Sequence, residues 1–337
     1  MALLEIEDLF VEFPSAGPPL RAVDGVSLTL DHREVLGIVG ESGSGKSIAM
    51  LALMGLVPYP GMVRARRLEF DGHDLLGLPA SARRRLIGKE VAMIFQEPAT
   101  SLNPSFTVGF QIAETLRLHE KMDRKQARRR AVELLEQVGI PAPESRLSSY
   151  PHQMSGGMNQ RVMIAMAIAC NPKLLIADEP TTALDVTIQA QILDLLLSLQ
   201  RERGMALVLI THNMAVVSEI AQRVAVMYSG QVMEERGAAD LFKAPQHPYT
   251  AALLAARPEG RTGGRLTTIP GTVPSLIARP KGCLFGPRCA YATPLTASVR
   301  PDLQPWLGGA VRCHYPLGDP AREARIEADR AGAKAAS

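Results

Sequence analysis

The chain is poor in cysteine, in aromatic residues and in net charge. Its 337 residues include four cysteines and one tryptophan, and aromatic residues make up 4% of the whole. The cysteines are irregularly spaced and follow no signal peptide, which argues against a disulfide framework and favours cytosolic thiols or metal ligands. The net charge of +3, from 37 basic and 34 acidic residues, does not favour a nucleic acid partner.

Long apolar runs are lacking as well. No stretch reaches the roughly 18 consecutive apolar residues of a membrane-spanning helix, and the N-terminal MALLEIEDLF has neither the basic segment nor the apolar core of a secretory signal. We therefore expect a cytoplasmic protein. With 46% hydrophobic residues, the chain can form a large domain with a smaller appendage, or two domains.

What the sequence does contain is an alternation of apolar strands and helices. Strands are predicted over residues 1–39, and VLGIV, GESGSGKS and IAMLALMGL follow one another as the strand, glycine loop and helix of a parallel sheet. Further strands are predicted at VAMIF, LLIA and LVLI, with helical material inserted between 97 and 150. From about residue 258, proline and glycine become frequent, which predicts a loop-rich segment and then a charged tail that is frayed helix or disordered.

The stretch GESGSGKS carries the strongest motif. Its glycines let successive amides converge on phosphate oxygens, and the start of the following helix adds a partial positive charge. Lys46 is expected to bridge the β- and γ-phosphates of a nucleotide, and the Ser47 hydroxyl to ligate Mg²⁺. A plain glycine turn is the alternative, which the strand–loop–helix context disfavours. The residues that match G-x-x-x-x-G-K-[ST] are Gly40, Glu41, Ser42, Gly43, Ser44, Gly45, Lys46 and Ser47.

Polar residues follow three other predicted strands. In LLIADEP, Asp178 is expected to hold Mg²⁺, and Glu179 to orient and deprotonate the attacking water. His212, in LITHN, is placed to contact a γ-phosphate, and Gln96, after VAMIF, to reach Mg²⁺ and the water. Each is alternatively an ordinary polar strand end, or a helix cap in the case of His212. The phosphate loop in the same chain favours the catalytic interpretation.

A second glycine–serine helix start, MSGGMNQR, lies far downstream. One phosphate loop covers one face of the triphosphate and leaves the opposite face of the γ-phosphate open to water, where catalysis needs positioning and charge neutralisation. Ser155 and the amides of Gly156 and Gly157 would close that face if a second subunit presented them. The structural alternative is a plain N-cap at Ser155, and the two interpretations are compatible because both use the same amides.

The order GESGSGKS, FQ-EP, MSGGMNQ, LLIADEP, ALD and ITHN resembles the ATP-binding cassette (ABC) ATPases over about residues 4–257. The resemblance implies an α/β fold with a P-loop NTPase (RecA-like) core, an antiparallel β-subdomain and a helical subdomain at about 97–170. It implies a nucleotide-binding domain over 1–257, a C-terminal extension over 258–318 and a flexible tail over 319–337. It also implies two cassettes that dimerise head to tail around two ATP molecules.

The resemblance assigns roles residue by residue. Gln96 becomes the Q-loop glutamine and a Mg²⁺ ligand beside Ser47 and Asp178, Glu179 the catalytic base and His212 the switch histidine. Met154 to Gln160 becomes the signature, with Met154 and Met158 in place of the commoner Leu and Gln. Phe13 falls at the adenine-stacking position, although PSAGPPL departs from the usual spacing. The partner-facing residues implied are Ser155, Gly156, Gly157, Gln160 and, in the D-loop, Asp185.

Longer stretches of sequence indicate which branch of the ABC ATPases the chain resembles. QEPATSLNPSFTVGFQI, APQHPYTAALL and IPGTVPSL resemble the dipeptide-type peptide importers. That likeness implies an ATP-hydrolysing subunit at the cytoplasmic face of the inner membrane, paired as a heterodimer with a second ABC ATPase and with two transmembrane permease subunits. An extracytoplasmic peptide-binding protein would act indirectly. The alternatives are an importer of nickel chelates or glutathione, a soluble ABC ATPase, and a non-catalytic nucleotide-sensing subunit.

The cysteines of the extension raise a separate question. Relatives in this branch often carry four cysteines there, spaced for an iron–sulfur cluster. This chain has Cys283, Cys289 and Cys313, and Thr296 stands at the remaining position. Three thiolates hold a cluster only with another ligand, so the incomplete set favours free or weakly metal-binding thiols, with a cluster as the alternative. Cys170, in an apolar helix, is expected in the core.

Overall fold

The computed structural model describes residues 2–97, 101–182, 184–256 and 268–335, and it divides the chain into two compact units. Unit 1 comprises Met1–Leu3, Leu30–Val35 and Phe70–Ile210. Unit 2 comprises Leu4–Thr29, Leu36–Glu69 and Thr211–Ser337. Within the described ranges, no helix is both long enough and apolar enough to cross a membrane.

The strands and helices follow the predicted alternation. In chain order the strands are β1 (Leu4–Phe13), β2 (Leu20–Leu30), β3 (Val35–Val39), β4 (Met62–Arg64), β5 (Arg67–Phe70), β6 (His73–Asp74), β7 (Val91–Ile94), β8 (Leu174–Asp178), β9 (Ala206–Thr211), β10 (Arg223–Tyr228), β11 (Gln231–Gly237), β12 (Gln304–Trp306) and β13 (Gly309–Val311). The α-helices are Lys46–Met54, Ala80–Leu86, Val108–His119, Arg124–Gln137, Pro143–Arg146, Gly156–Ala167, Val186–Arg203, Met214–Ile220, Ala238–Lys243, Pro248–Ala255, Pro294–Ser298 and Arg322–Ala335. Short 3-10 turns lie at Pro151–Gln153 and Gly286–Arg288.

Unit 2 contains two sheets. In the first, the strand order is β2-β1-β5, and β1 pairs antiparallel with β4, with Val11 opposite Val63. In the second, the order is β12-β13-β11-β10-β3, with β10 parallel to β3 and antiparallel to β11. Because β13 pairs with β11, the predicted loop-rich extension supplies two strands to the sheet that also holds β3. Three-residue strands are too short to show a period in sequence.

Unit 1 holds the parallel strands β7, β8 and β9. Leu174 of β8 lies opposite Val91 of β7 and Ala206 of β9, and the residues of β7, β8 and β9 are all buried. Such continuous apolar runs are typical of strands covered on both faces. Each strand ends where a predicted catalytic residue follows.

Helices Val108–His119, Arg124–Gln137 and Gly156–Ala167 pack against one another in unit 1. The second begins with a capping box, in which the Asp123 carboxylate accepts from the Gln126 amide at 2.8 Å and the Gln126 side chain accepts in return. It ends where Gly139 takes a φ of 72°, which favours glycine. These helices form the helical subdomain that the sequence predicts.

The C-terminal tail contains the helix Arg322–Ala335. One apolar side chain, Ile326, is buried at 6% exposure, and the Arg325 guanidinium pairs with Asp319 at 2.7 Å. The sequence predicts frayed helix or disorder here, because isolated apolar residues in a charged segment give little sign of packing. The structure has a helix over most of this tail. The predicted boundaries at 257 and 318 stay predictions, and residues 257–267 lie outside the described ranges.

Buried His247 makes the stability of unit 2 sensitive to acid. Its Nδ1 accepts from the Tyr249 amide at 2.9 Å, and burial lowers its pKa to about 3. The pKa of a histidine in an unfolded chain is about 6.5. As the pH falls, His247 therefore becomes protonated in the unfolded state before it does so in the folded state, and stability is lost between about pH 6.5 and pH 3.

His247→Asn keeps a side-chain cap at this helix start but removes the titration. We expect the variant to lose about 2 kcal/mol less unfolding free energy than the unchanged chain between pH 7 and pH 5. Urea denaturation at both pH values measures the difference. An identical pH dependence of unfolding in the two proteins would show that His247 does not cause the loss of stability in acid.

Candidate nucleotide-binding site

The phosphate-binding loop, residues 40–47, lies in unit 2 between β3 and the helix Lys46–Met54. Gly45 is the N-cap of that helix, with a φ of 95°. A Cβ on Gly45 would lie 2.6 Å from the Ala22 carbonyl oxygen, and one on Gly40 would lie 2.1 Å from the Met227 carbonyl oxygen. Only glycine fits at either position, because the loop passes this close to neighbouring backbone. The close approach explains why the motif has glycine at residues 40 and 45.

Lys46 reaches back over the loop. Its Nζ donates to the Gly40 oxygen at 2.9 Å, to the Glu41 oxygen at 3.0 Å and to Ser44 Oγ at 3.3 Å, and the residue is 5% exposed. These contacts hold the ammonium group at the loop and at the N-terminus of the helix. Loop amides, helix dipole and ammonium group together form an anion-binding arrangement.

Glu179 begins the turn after β8 in unit 1. It takes a φ of 46°, which is uncommon for a residue with a Cβ and costs backbone strain. Its amide donates to the Ile210 oxygen at 2.9 Å, which fixes the backbone. Its Oε2 accepts from Gln96 Nε2 at 3.1 Å and from Thr182 Oγ1 at 2.8 Å. The structure therefore brings together Gln96 and Glu179, two of the three residues predicted as catalytic.

The remaining predicted residues are placed as follows. Asp178 ends β8 and is 5% exposed, whereas Gln96 and Asp185 are exposed. In unit 2, His212 is exposed, Ser47 lies in the first turn of the helix after the loop, and Phe13 ends β1 beside Gly61. Ala183, of the ALD motif, lies outside the described residues.

The signature starts the helix Gly156–Ala167. Ser155 is its N-cap, and its Oγ accepts from the Met158 amide at 3.3 Å, so the capping interpretation is confirmed. Ser155 and Gly156 are exposed. A Cβ on Gly157 would lie 3.2 Å from Ile188 Cγ2, so the glycine lets the signature pack against the helix that follows Asp185.

Gln160, at the C-terminal end of the signature, is buried. Its side chain is 1% exposed, whereas Ser155 and Gly156 are exposed. Gln160 lies one helical turn after Gly156 and on the same face of the helix, so it is farther from the exposed N-cap. Its predicted role toward the ATP of a partner stays a prediction.

Glu41, the second residue of the loop, makes contacts that no sequence motif predicts. Both carboxylate oxygens of Glu41 pair with Arg288, at 2.7 and 3.0 Å, and the Glu41 amide donates to Tyr249 Oη at 2.9 Å. Sequence reasoning missed this contact because Arg288 lies in the loop-rich extension, where no periodicity marks a partner.

Cys283, Cys289, Cys313 and Thr296 line one cavity of about 10 Å³. Burial raises the pKa of Cys289 to about 11 and that of Cys313 to about 12, which keeps these thiols protonated at neutral pH. The Thr296 hydroxyl donates to the Thr293 oxygen at 2.8 Å and so serves its own helix. Among the described residues, no group of three or more His, Cys, Asp or Glu is arranged to hold a metal ion. The donor set does not fit a cluster that needs four ligands.

Thr296→Cys should complete the set, because residue 296 lines the same cavity as the three thiols. We expect anaerobic reconstitution with iron and sulfide to give the variant bound iron and a broad visible absorbance, and the unchanged chain neither. Iron and labile-sulfide analysis measures this, with Thr293→Ser as the matched control. An equal yield of cluster in the unchanged chain would contradict the inference that its three cysteines lack a needed fourth ligand.

The fold and this site define an ATP-binding cassette. Structural comparison gives the same class: the chain matches the dimeric ATP-binding cassette MJ0796 bound to ADP and Pi with a TM-score of 0.61 and 28% identity, over 70% of this chain and 98% of that one. It also matches cbiO1 from Clostridium perfringens, part of the ABC transporter complex cbiONQ, with a TM-score of 0.60 and 26% identity, over 72% and 91% of the two chains.

Sequence comparison identifies the branch. The ABC transporter family model matches residues 23–182, and the model of the oligopeptide/dipeptide transporter C-terminal region matches residues 233–295. The chain is 57% identical to the dipeptide transport ATP-binding protein DppD of Escherichia coli, over 96% of this chain and 99% of that one. It is 51% identical to the oligopeptide transport ATP-binding protein OppD of Bacillus subtilis, over 89% and 85%. The chain belongs to the ATP-binding subunits of the dipeptide/oligopeptide ABC transporter family, and the resemblance inferred from its motifs is confirmed.

Proposed function

We propose that the chain is the ATP-hydrolysing subunit of an importer of dipeptides or other short peptides, attached to the cytoplasmic face of the inner membrane. The observation that carries the proposal is a complete phosphate-binding loop in the same chain as Glu179, whose carboxylate accepts hydrogen bonds from Gln96 and Thr182. The match of residues 233–295 to the peptide transporter C-terminal region supports the peptide branch.

Nucleotide binding follows from the loop. Its amides and the N-terminus of helix Lys46–Met54 hold the β-phosphate, and Lys46 exchanges its contacts with loop carbonyls for contacts with the β- and γ-phosphates. Phe13 stacks on the adenine. Oxygen donors of Ser47, Asp178 and Gln96 suit Mg²⁺, which prefers hard oxygen ligands; when bound, the ion neutralises charge on the phosphates.

Hydrolysis follows from Glu179. The carboxylate takes a proton from water as the water oxygen attacks the γ-phosphorus, and ADP leaves with the β–γ bridging oxygen. The hydrogen bonds from Gln96 and Thr182 hold the carboxylate in one orientation. His212 contacts the γ-phosphate and senses its loss.

The site is completed by a second cassette. Exposed Ser155 and the amides of Gly156 and Gly157 bind the γ-phosphate held by the partner, and Asp185 lies at the same interface. The partner in this proposal is a different ABC ATPase subunit. The pair works beneath two transmembrane permease subunits, to which an extracytoplasmic binding protein delivers peptide.

The substrate is tested in liposomes that contain the chain, its partner cassette and both permeases, with the binding protein added outside. We expect a dipeptide-loaded binding protein to stimulate ATP hydrolysis and to drive accumulation of labelled dipeptide. Stimulation by a nickel chelate or by glutathione, and not by dipeptides, would replace the peptide assignment and leave the ATPase assignment intact.

A further inference from the structure

Arg288 connects the C-terminal extension to the phosphate-binding loop within unit 2. Its side chain is 4% exposed, although it carries a full charge. It ends the 3-10 turn Gly286–Arg288, which precedes Cys289. Its Nη1 and Nη2 donate to the two carboxylate oxygens of Glu41, at 2.7 and 3.0 Å, which is the bidentate geometry that distinguishes arginine from lysine.

Further contacts fix both partners. The Arg288 Nε donates to the Pro270 oxygen at 2.8 Å, and Nη1 reaches Tyr228 Oη at 3.3 Å. The guanidinium carbon lies 5.7 Å from the centroid of the Tyr228 ring. On the loop side, the Glu41 amide is held by Tyr249 Oη. Glu41 is thus fixed through both its main chain and its side chain.

This pair matters because of where the carboxylate lies. Glu41 is the second residue of a loop whose amides and lysine bind a polyanion, and an uncompensated carboxylate there repels the phosphates. Charge interactions among partly buried groups are screened less by salt than those on the surface. A guanidinium that pairs with both oxygens cancels the charge and also holds the loop in one conformation.

We propose that Arg288 is a positioning residue of the nucleotide site, which sets the affinity of the phosphate-binding loop for ATP by neutralising and fixing Glu41. The proposal rests on the proposed ATP-binding function. It assigns the extension a role at the ATP site, whereas the motifs of that site all end by residue 213.

The test measures MgATP dissociation constants of the full-length chain with a fluorescent ATP analogue, and KM and kcat in the assembled transporter. We expect Arg288→Gln to weaken MgATP binding at least tenfold and to raise KM, with kcat at saturating ATP changed less than threefold. Arg288→Lys keeps the positive charge but cannot pair with both carboxylate oxygens of Glu41 in the same way, so it should give an intermediate loss of MgATP affinity. Glu41→Gln combined with Arg288→Gln removes both charges and should recover most of the affinity.

Arg223→Gln is the matched control. Arg223 pairs with Glu235 at 2.8 Å, also in unit 2, and neither residue belongs to the loop. We expect its affinity for MgATP to stay within twofold of the unchanged chain. Thermal unfolding of every variant separates loss of affinity from loss of fold.

The outcomes are distinct. Affinity of Arg288→Gln within twofold of the unchanged chain, or a double variant no better than the single one, overturns the role of Arg288. If Arg288→Gln does not fold, Arg288→Lys and the double variant decide, and equal affinity of Arg288→Lys and the unchanged chain overturns the proposal. If the unchanged chain itself fails to bind MgATP, the proposed function fails instead.

Discussion

Glu179→Gln leaves ATP binding intact and lowers the rate of ATP hydrolysis by about 10²–10⁴-fold, the usual contribution of a general base. The amide has nearly the shape of the carboxylate and keeps an oxygen that accepts from Gln96 and Thr182, so the turn after β8 survives. What it cannot do is take the proton of the attacking water. The dimer of cassettes should therefore stay closed around unhydrolysed ATP.

Two measurements check this result in the assembled transporter: phosphate release, and retention of labelled ATP after gel filtration. Glu90→Gln is the matched control, because Glu90 pairs with Lys173 at 2.8 Å on the surface of unit 1 and should leave both unchanged. Hydrolysis by Glu179→Gln at the normal rate would remove Glu179 from the role of base.

Lys46→Ala weakens MgATP binding by about 10- to 150-fold, because a hydrogen bond to a charged group contributes about 1.5–3 kcal/mol. The ammonium group is already held at the loop by three oxygen acceptors, the Gly40 and Glu41 carbonyls and Ser44 Oγ. Little ordering is then needed when phosphates replace them.

Titration with a fluorescent ATP analogue measures the loss. Lys173→Ala provides the control, since that ammonium group pairs with Asp71 and Glu90 on the surface of unit 1. Equal affinity of Lys46→Ala and the unchanged chain would show that the loop does not bind ATP through its lysine.

Much of the fold could be predicted from the sequence because the signals are local. β3, β7, β8 and β9 are short, mainly apolar runs that lead within two residues to glycine or a polar side chain, so both the strands and the residues at their ends are visible in sequence. The phosphate-binding loop is local too, since a strand, eight motif residues and a helix are consecutive. For the same reason Ser155 could be identified as a helix start.

Contacts between distant segments could not be predicted. The pairing of β13 with β11 involves three-residue strands with no period, and the ion pair of Arg288 with Glu41 joins residues 247 positions apart. The burial of Gln160 depends on which face of its helix packs inward. A motif states which residues occur together, but tertiary packing decides which of them reach the surface.

The most direct test of the account is the Mg-dependent ATPase activity of the full-length chain, alone and after addition of its partner cassette and the two permease subunits. We predict little activity alone and strong stimulation on assembly, because the signature of a second subunit must close each site. Full activity of the chain alone, unchanged by those subunits, would contradict the shared site and indicate an ATPase that works without the transporter.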